Sequence, residues 1–157
     1  MHHTRKVLLR LTVAVLAVVN LAACGVAGLN FGMARLSEKE CMMRAMYFES
    51  NRSSAEGMLA VGTVVMNRKN DSRYPKSVCG VVGQKNQFAQ GVLTRPMTDS
   101  GAVLASQVAD QVLSGARHPG VQAAQHFHTA GLRFPYNNMF YVLEAGGNEF
   151  YEKRSVR

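Results

Sequence analysis

The chain lacks most of the short motifs that announce a chemistry. No Gly-x-Ser-x-Gly elbow occurs, so the usual frame for a serine nucleophile is missing. No phosphate loop or dinucleotide fingerprint is present, which speaks against nucleotide cofactors. No Cys-x-x-Cys or His-x-x-x-His spacing suggests a structural zinc site. Basic residues are scattered rather than gathered into runs with interleaved aromatics, and no nucleic-acid recognition motif appears. No apolar run approaches the ~20 residues of a comfortable bilayer span. There are no internal repeats, no low-complexity tract and no tryptophan.

Apolar residues make up 47% of the 157, enough for a folded core and too many for a disordered chain. The length suggests one domain. The formal charge of +8 includes Arg5, Lys6 and Arg10 near the N-terminus. Without them, 15 basic residues face 10 acidic ones. A modest positive charge favours a polyanionic partner, and a wall polymer or a membrane surface fits. The charge alone does not choose, but the absent motifs leave no expectation of nucleic acid.

The first residues read as an export leader. Charged positions come first, then an apolar run from Leu11 to Val19, then Leu21-Ala22-Ala23-Cys24. Leu-Ala-Ala-Cys resembles a bacterial lipobox, which implies cleavage before Cys24 and acylation of its thiol. Ordinary signal cleavage with Cys24 incidental is the alternative. The expected organisation is a signal peptide over 1–23, a lipid-anchored tether over 24–36 and a domain over 37–157. The expected location is the periplasm, anchored to a membrane, with Gly25 favouring the outer one. Cys41 and Cys79 then remain as a pair in an oxidising compartment, where a disulfide is expected and two buried thiols are the alternative.

Ser37-Glu38-Lys39-Glu40 has the spacing of a capping box and predicts a helix running to about Glu49. Glu49 thus sits at a helix C-terminus beside apolar neighbours. The helix dipole and desolvation both disfavour its anion there and raise its pKa, as a general acid requires. A solvated end-of-helix acid fits the same position. Ser53-Ser54-Ala55-Glu56 predicts a second helix to about Asn67 with Ser53 as cap, which gives Glu56 a structural task. Gly62 inside that helix suggests a close helix crossing. A third helix is expected over 98–116, capped by Ser100 or Asp99, with Val103, Leu104, Val108 and Val112 inward. Residues 124–129 alternate like a strand, and 140–151 read as a hairpin around Gly146-Gly147. Helices thus precede a small late sheet.

His118, His126 and His128 have no spaced acidic partner, so neither a metal nor a cofactor is expected. Export and the expected bridge disfavour a cysteine nucleophile. Carboxylate chemistry at Glu49 remains.

The stretch from Cys41 to Val82 resembles the SleB-type cell-wall hydrolase family. It carries Tyr47-Phe48-Glu49, Gly57, the stretch from Ala60-Val61 to Asn67-Arg68, Tyr74-Pro75 and Cys79-Gly80-Val81-Val82. Gln87-Phe88, His126-Phe127-His128 and Phe150-Tyr151 continue the match. The resemblance implies an α+β, mainly helical, lysozyme-like domain with a small C-terminal antiparallel sheet. It also implies action on peptidoglycan, with Glu49 as the catalytic acid. Tyr47, Gln87, Phe88, His126 and His128 are the candidate substrate contacts. With no convincing second acid, the expected reaction is lytic transglycosylation at the MurNAc–GlcNAc bond by a monomer. Ser53, Ala89, Tyr136 and Asn148 stand where family members commonly have Glu, Ser, Trp and His. Those departures motivate the alternative of a tethered peptidoglycan-binding lipoprotein without turnover.

Overall fold

The computed structural model describes residues 35–156, so Cys24 and the leader lie outside the described residues. No described helix is long and apolar enough to cross a membrane.

Helix α1 (Glu38–Glu49) begins at Ser37, whose Oγ accepts the Glu40 N–H at 3.1 Å. The capping-box spacing predicts that the Glu40 carboxylate reaches back to the Ser37 amide. It pairs instead with Arg44 one turn on, at 2.8 Å. Helix α2 (Ala55–Asn70) starts one residue later than expected: Ser54 is the cap, and its Oγ accepts the Gly57 N–H at 2.9 Å. Ser53 instead turns back on the Asn51 side chain, which takes both its N–H and its hydroxyl. Glu56 is therefore out of register for a box and lies 3.4 Å from His118 Nε2.

Helices α3 (Val78–Val82) and α4 (Gly101–Leu113) complete the helical layer. On α4 the buried stripe is Gly101, Ala105, Val108, Ala109 and Val112, while Val103 is 63% exposed. The expectation for Val103 fails because it falls off that i, i+4, i+7 face. The core is built from Met42, Met46, Met58, Val61, Val64, Val65 and Val112. At Gly62, an added Cβ would lie 2.4 Å from Met46 Cε and 3.0 Å from Val112 Cγ2, so α1, α2 and α4 meet there. Cys41 and Cys79 form a disulfide that ties α1 to α3. The Glu38 carboxylate supports the same joint by accepting the Val78 N–H at 2.6 Å.

After a 3-10 turn at Pro119–Val121 come β1 (His126–Thr129), β2 (Met139–Ala145) and β3 (Asn148–Lys153). They form an antiparallel sheet in the order β1-β3-β2, with an irregularity between Tyr141 and Leu143. Gly146 and Gly147 both have positive φ, 57° and 84°, which the tight β2–β3 turn requires.

That turn is seated on the α1–α2 junction. The Asn51 N–H donates to the Gly146 carbonyl at 2.9 Å. Gly57 and Gly146 lie back to back, so that a Cβ on Gly57 would sit 2.4 Å from Gly146 Cα. Gly57→Ala is expected to cost about 1–3 kcal/mol by overpacking, read as a lowered thermal midpoint. An unchanged midpoint would contradict this seating.

Candidate active site

Glu49 is the last residue of α1, and the seated hairpin fixes its backbone. The Asn148 side chain, 6% exposed, donates from Nδ2 to the Glu49 carbonyl at 2.6 Å. This satisfies one of the carbonyls a helix end leaves open. The carboxylate is held separately: Oε1 accepts the Ala89 N–H in a short hydrogen bond. Glu49 therefore has one anchor from the sheet and one from the segment between α3 and α4.

Burial is the largest influence on the Glu49 carboxyl, and it raises the pKa above the ordinary carboxylate range. The Ala89 N–H, Arg68 and Arg95 oppose it, in that order, by favouring the anion. The acid is thus poised by desolvation and held back from an extreme by one amide and two cations.

Glu49 opens into a cleft of about 290 Å³. One wall is Asn86, Gln87 and Phe88; the other is Phe127, His128 and Thr129 of β1 with Leu132, and Asn148 lies beside the acid. Glu49 is the only carboxylate among these lining residues. A larger hollow of about 670 Å³, bounded by Val82 to Thr94, shares Asn86 and Phe88 with the cleft but does not contain Glu49. No carboxylate or histidine lines that larger hollow, so the smaller cleft is the one equipped for proton transfer.

Of the candidate contacts, Gln87, Phe88 and His128 line this cleft. His128 Nδ1 donates to the Thr129 carbonyl at 2.8 Å, and the Tyr141 hydroxyl donates to Nε2 at 2.9 Å. Its ring is therefore held in place. Tyr47 does not reach the cleft. It is 1% exposed, donates to Asp99 at 2.9 Å and lies under the Arg52 guanidinium. Two residues along a helix is about 200° of rotation, which turns Tyr47 away from the side Glu49 faces. His126 is also displaced from the cleft. It stacks on Tyr151 and faces a separate charged hollow with Asp71, Arg73 and Glu152. Burial, then Lys153, Arg68 and Arg73, depress its pKa to about 4. It lies at the far end of β1, about 7 Å of strand from His128.

Phe127, between the two histidines, is a cleft residue that the sequence pattern did not single out. It packs on Phe88 and Phe150 and so sets the wall opposite Gln87. Ser53, the position of a missing Glu, lies outside this cleft and borders another hollow with Arg52 and Asp99. Ala89, where family members commonly have Ser, holds Glu49 through its backbone, which any residue but proline supplies.

A mainly helical domain with one poised carboxyl, facing a cleft walled by a small antiparallel sheet, has the lysozyme-like architecture. Two solved structures share it. One is the catalytic domain of the Bacillus cereus SleB protein, at 20% identity and TM-score 0.60 over 73% of this chain and 89% of that one. The other is the catalytic domain of the germination-specific lytic transglycosylase SleB from Bacillus anthracis, at 20% identity and TM-score 0.60 over 76% and 98%. No curated protein sequence matches the chain. The cell wall hydrolase model matches residues 52–151, and the chain belongs to that family. The matched span begins just past Glu49, so the assignment of the acid rests on geometry rather than on the family match.

Proposed function

We propose that the protein cleaves the glycan strands of peptidoglycan at the MurNAc–GlcNAc bond, as a lytic transglycosylase with Glu49 as its single acid. The observation that carries this reading is the cleft itself: one desolvated carboxyl, no second carboxylate among the lining residues, and aromatic and amide side chains on the walls. Family membership supports it, as does the shared fold of the Bacillus anthracis protein, a germination-specific lytic transglycosylase. Glu49 gives its proton to the bridging oxygen as the bond from that oxygen to muramyl C1 breaks. The resulting carboxylate then takes the proton of the muramyl 6-hydroxyl as C1–O6 forms. Glu49 ends as it began, and no water is consumed. A two-carboxylate mechanism would need a second acid about 5–9.5 Å across the cleft. Glu149, on the strand paired with β1, is not among the residues lining the cleft; it pairs with Arg133 at 3.4 Å and lies behind His128, 3.9 Å from its Nδ1.

The reading includes export and attachment to a membrane through lipidated Cys24, with action in the periplasm as a monomer. The Cys41–Cys79 disulfide supports an oxidising compartment.

Digestion of purified sacculi tests the activity. Soluble disaccharide-peptide fragments are the expected result. Protein that sediments with sacculi and releases none would favour the binding-only lipoprotein. The rate should fall as pH rises through the Glu49 titration, because the acid form is the competent one. That fall is expected above the ordinary carboxylate range, since burial raises this group. A rate that climbs through that range would contradict Glu49 as the proton donor.

A further inference from the structure

Arg68 has no role in the steps above, yet its placement is costly. It is 3% exposed near the C-terminal end of α2. Its Nε donates to the Gln125 carbonyl at 2.7 Å, while Nη1 is buried with no partner. No carboxylate forms an ion pair with it among the described residues. The guanidinium lies over two rings instead, Phe88 at 5.3 Å and Tyr74 at 5.7 Å from their centroids. A buried cation without a carboxylate partner destabilises a fold, and an apolar residue of similar size usually serves better there. Packing alone therefore does not account for it.

Its neighbours give the account. Phe88 is a wall of the Glu49 cleft, and the next residue, Ala89, holds the Glu49 carboxyl. Asn67, one residue before, donates to the Gln122 and Ala124 carbonyls at 2.9 Å each. Asn67 and Arg68 thus fasten the approach to β1 on one side, while Arg68 supports Phe88 on the other. We propose that Arg68 is a positioning residue: it ties the Phe88 wall of the cleft to the segment that leads into β1, and places a desolvated positive charge that stabilises Glu49 in the deprotonated state between its two proton transfers. The catalytic part rests on the transglycosylase reading; the coupling between Arg68 and Glu49 does not.

The charged groups around this pair can be separated. Arg95 also acts on Glu49, but it is exposed and lies over the Phe48 ring at 4.1 Å, where solvent screens it. His128 lines the cleft from β1, and Tyr74 and Tyr151 face Arg68. Burial is the main influence on Arg68 and favours loss of its charge; Glu49 is among the groups that oppose this.

The test is the titration of the Glu49 side-chain carboxyl by carbon-13 NMR, assigned by its loss in Glu49→Gln. In Arg68→Gln, which keeps a side-chain donor but no charge, the midpoint should move up by about 0.5 pH unit or more. In Arg95→Gln it should move less. An unchanged midpoint in folded Arg68→Gln overturns the proposal. Should that variant not fold, the wild type still decides. The Arg68 Nε resonance should show an inflection at the Glu49 midpoint and lose it in Glu49→Gln; a flat Arg68 resonance overturns the coupling. Both measurements are independent of turnover, so an inactive protein with coupled groups would sink the transglycosylase reading alone. If the protein is active, the alkaline limb of its rate profile should shift upward in Arg68→Gln by the same amount as the midpoint.

Discussion

Glu49→Gln is expected to lower glycan release from sacculi by about 100- to 10,000-fold, the range for loss of a positioned general acid. Glutamine keeps the shape and can still accept the Ala89 N–H, so the site should stay assembled. It cannot donate a proton to the bridging oxygen, and it cannot act as a base afterwards. On the proposed mechanism both halves of the reaction should fail together, because Glu49 is the only carboxylate among the described residues lining the cleft. The stability effect has the opposite sign. Glu49 has a raised pKa in the folded protein, so its contribution to stability is present below the unfolded value and is lost as pH rises through the folded one. Above its folded titration the ionised side chain is a liability in its buried setting. The variant should therefore melt no lower than wild type there. A large activity loss with a lowered melting temperature would point to unfolding rather than chemistry.

The second large effect concerns the fold. Cys41 and Cys79 are 38 residues apart in sequence. On the chain-entropy view, a loop of that length stabilises by about 4 kcal/mol by restricting the unfolded chain. Replacing both cysteines with alanine should lower the thermal midpoint by roughly 12–20 °C in a domain of this size. Catalysis should be spared well below the new midpoint. Cys41 is eight residues before Glu49 on the same helix, about 12 Å along the axis, and the acid takes its anchors from Ala89 and Asn148. A double variant that melts like wild type would remove the bridge as a determinant of stability. One that is fully folded at low temperature yet inactive would show that the bridge controls the site.

Much of this was legible because it is local. Helix starts at Ser37 and Ser54 lie within one residue of the serines that the capping pattern marks. The hairpin follows from Gly146-Gly147, which accept positive φ. Gly62 foretold a helix crossing, since a missing side chain inside a helix is costly without a close neighbour. The setting of Glu49 was legible because it ends a helix that has apolar neighbours. What escaped the sequence depends on contacts distant along the chain. The Ala89 N–H comes from 40 residues away and the Asn148 side chain from 99. A backbone donor has no side-chain signature, so Ala89 could not be read from residue type. Tyr47 was misplaced by proximity in sequence, which on a helix is not proximity in space. His126 and His128 share a strand face, but that face meets the cleft only at the His128 end. Arg68 could have been noticed as a lone arginine flanking an apolar helix, but its burial and its unpartnered Nη1 are properties of the fold.

The mass of the soluble muropeptides released from purified sacculi tests the single-acid chemistry most directly. Cleavage with Glu49 as both acid and base leaves 1,6-anhydromuramyl ends, so wild-type products should be one water lighter than those of hydrolysis and should vanish with Glu49→Gln. Products one water heavier would show that water, not the muramyl 6-hydroxyl, attacks, and would contradict the mechanism assigned to this cleft.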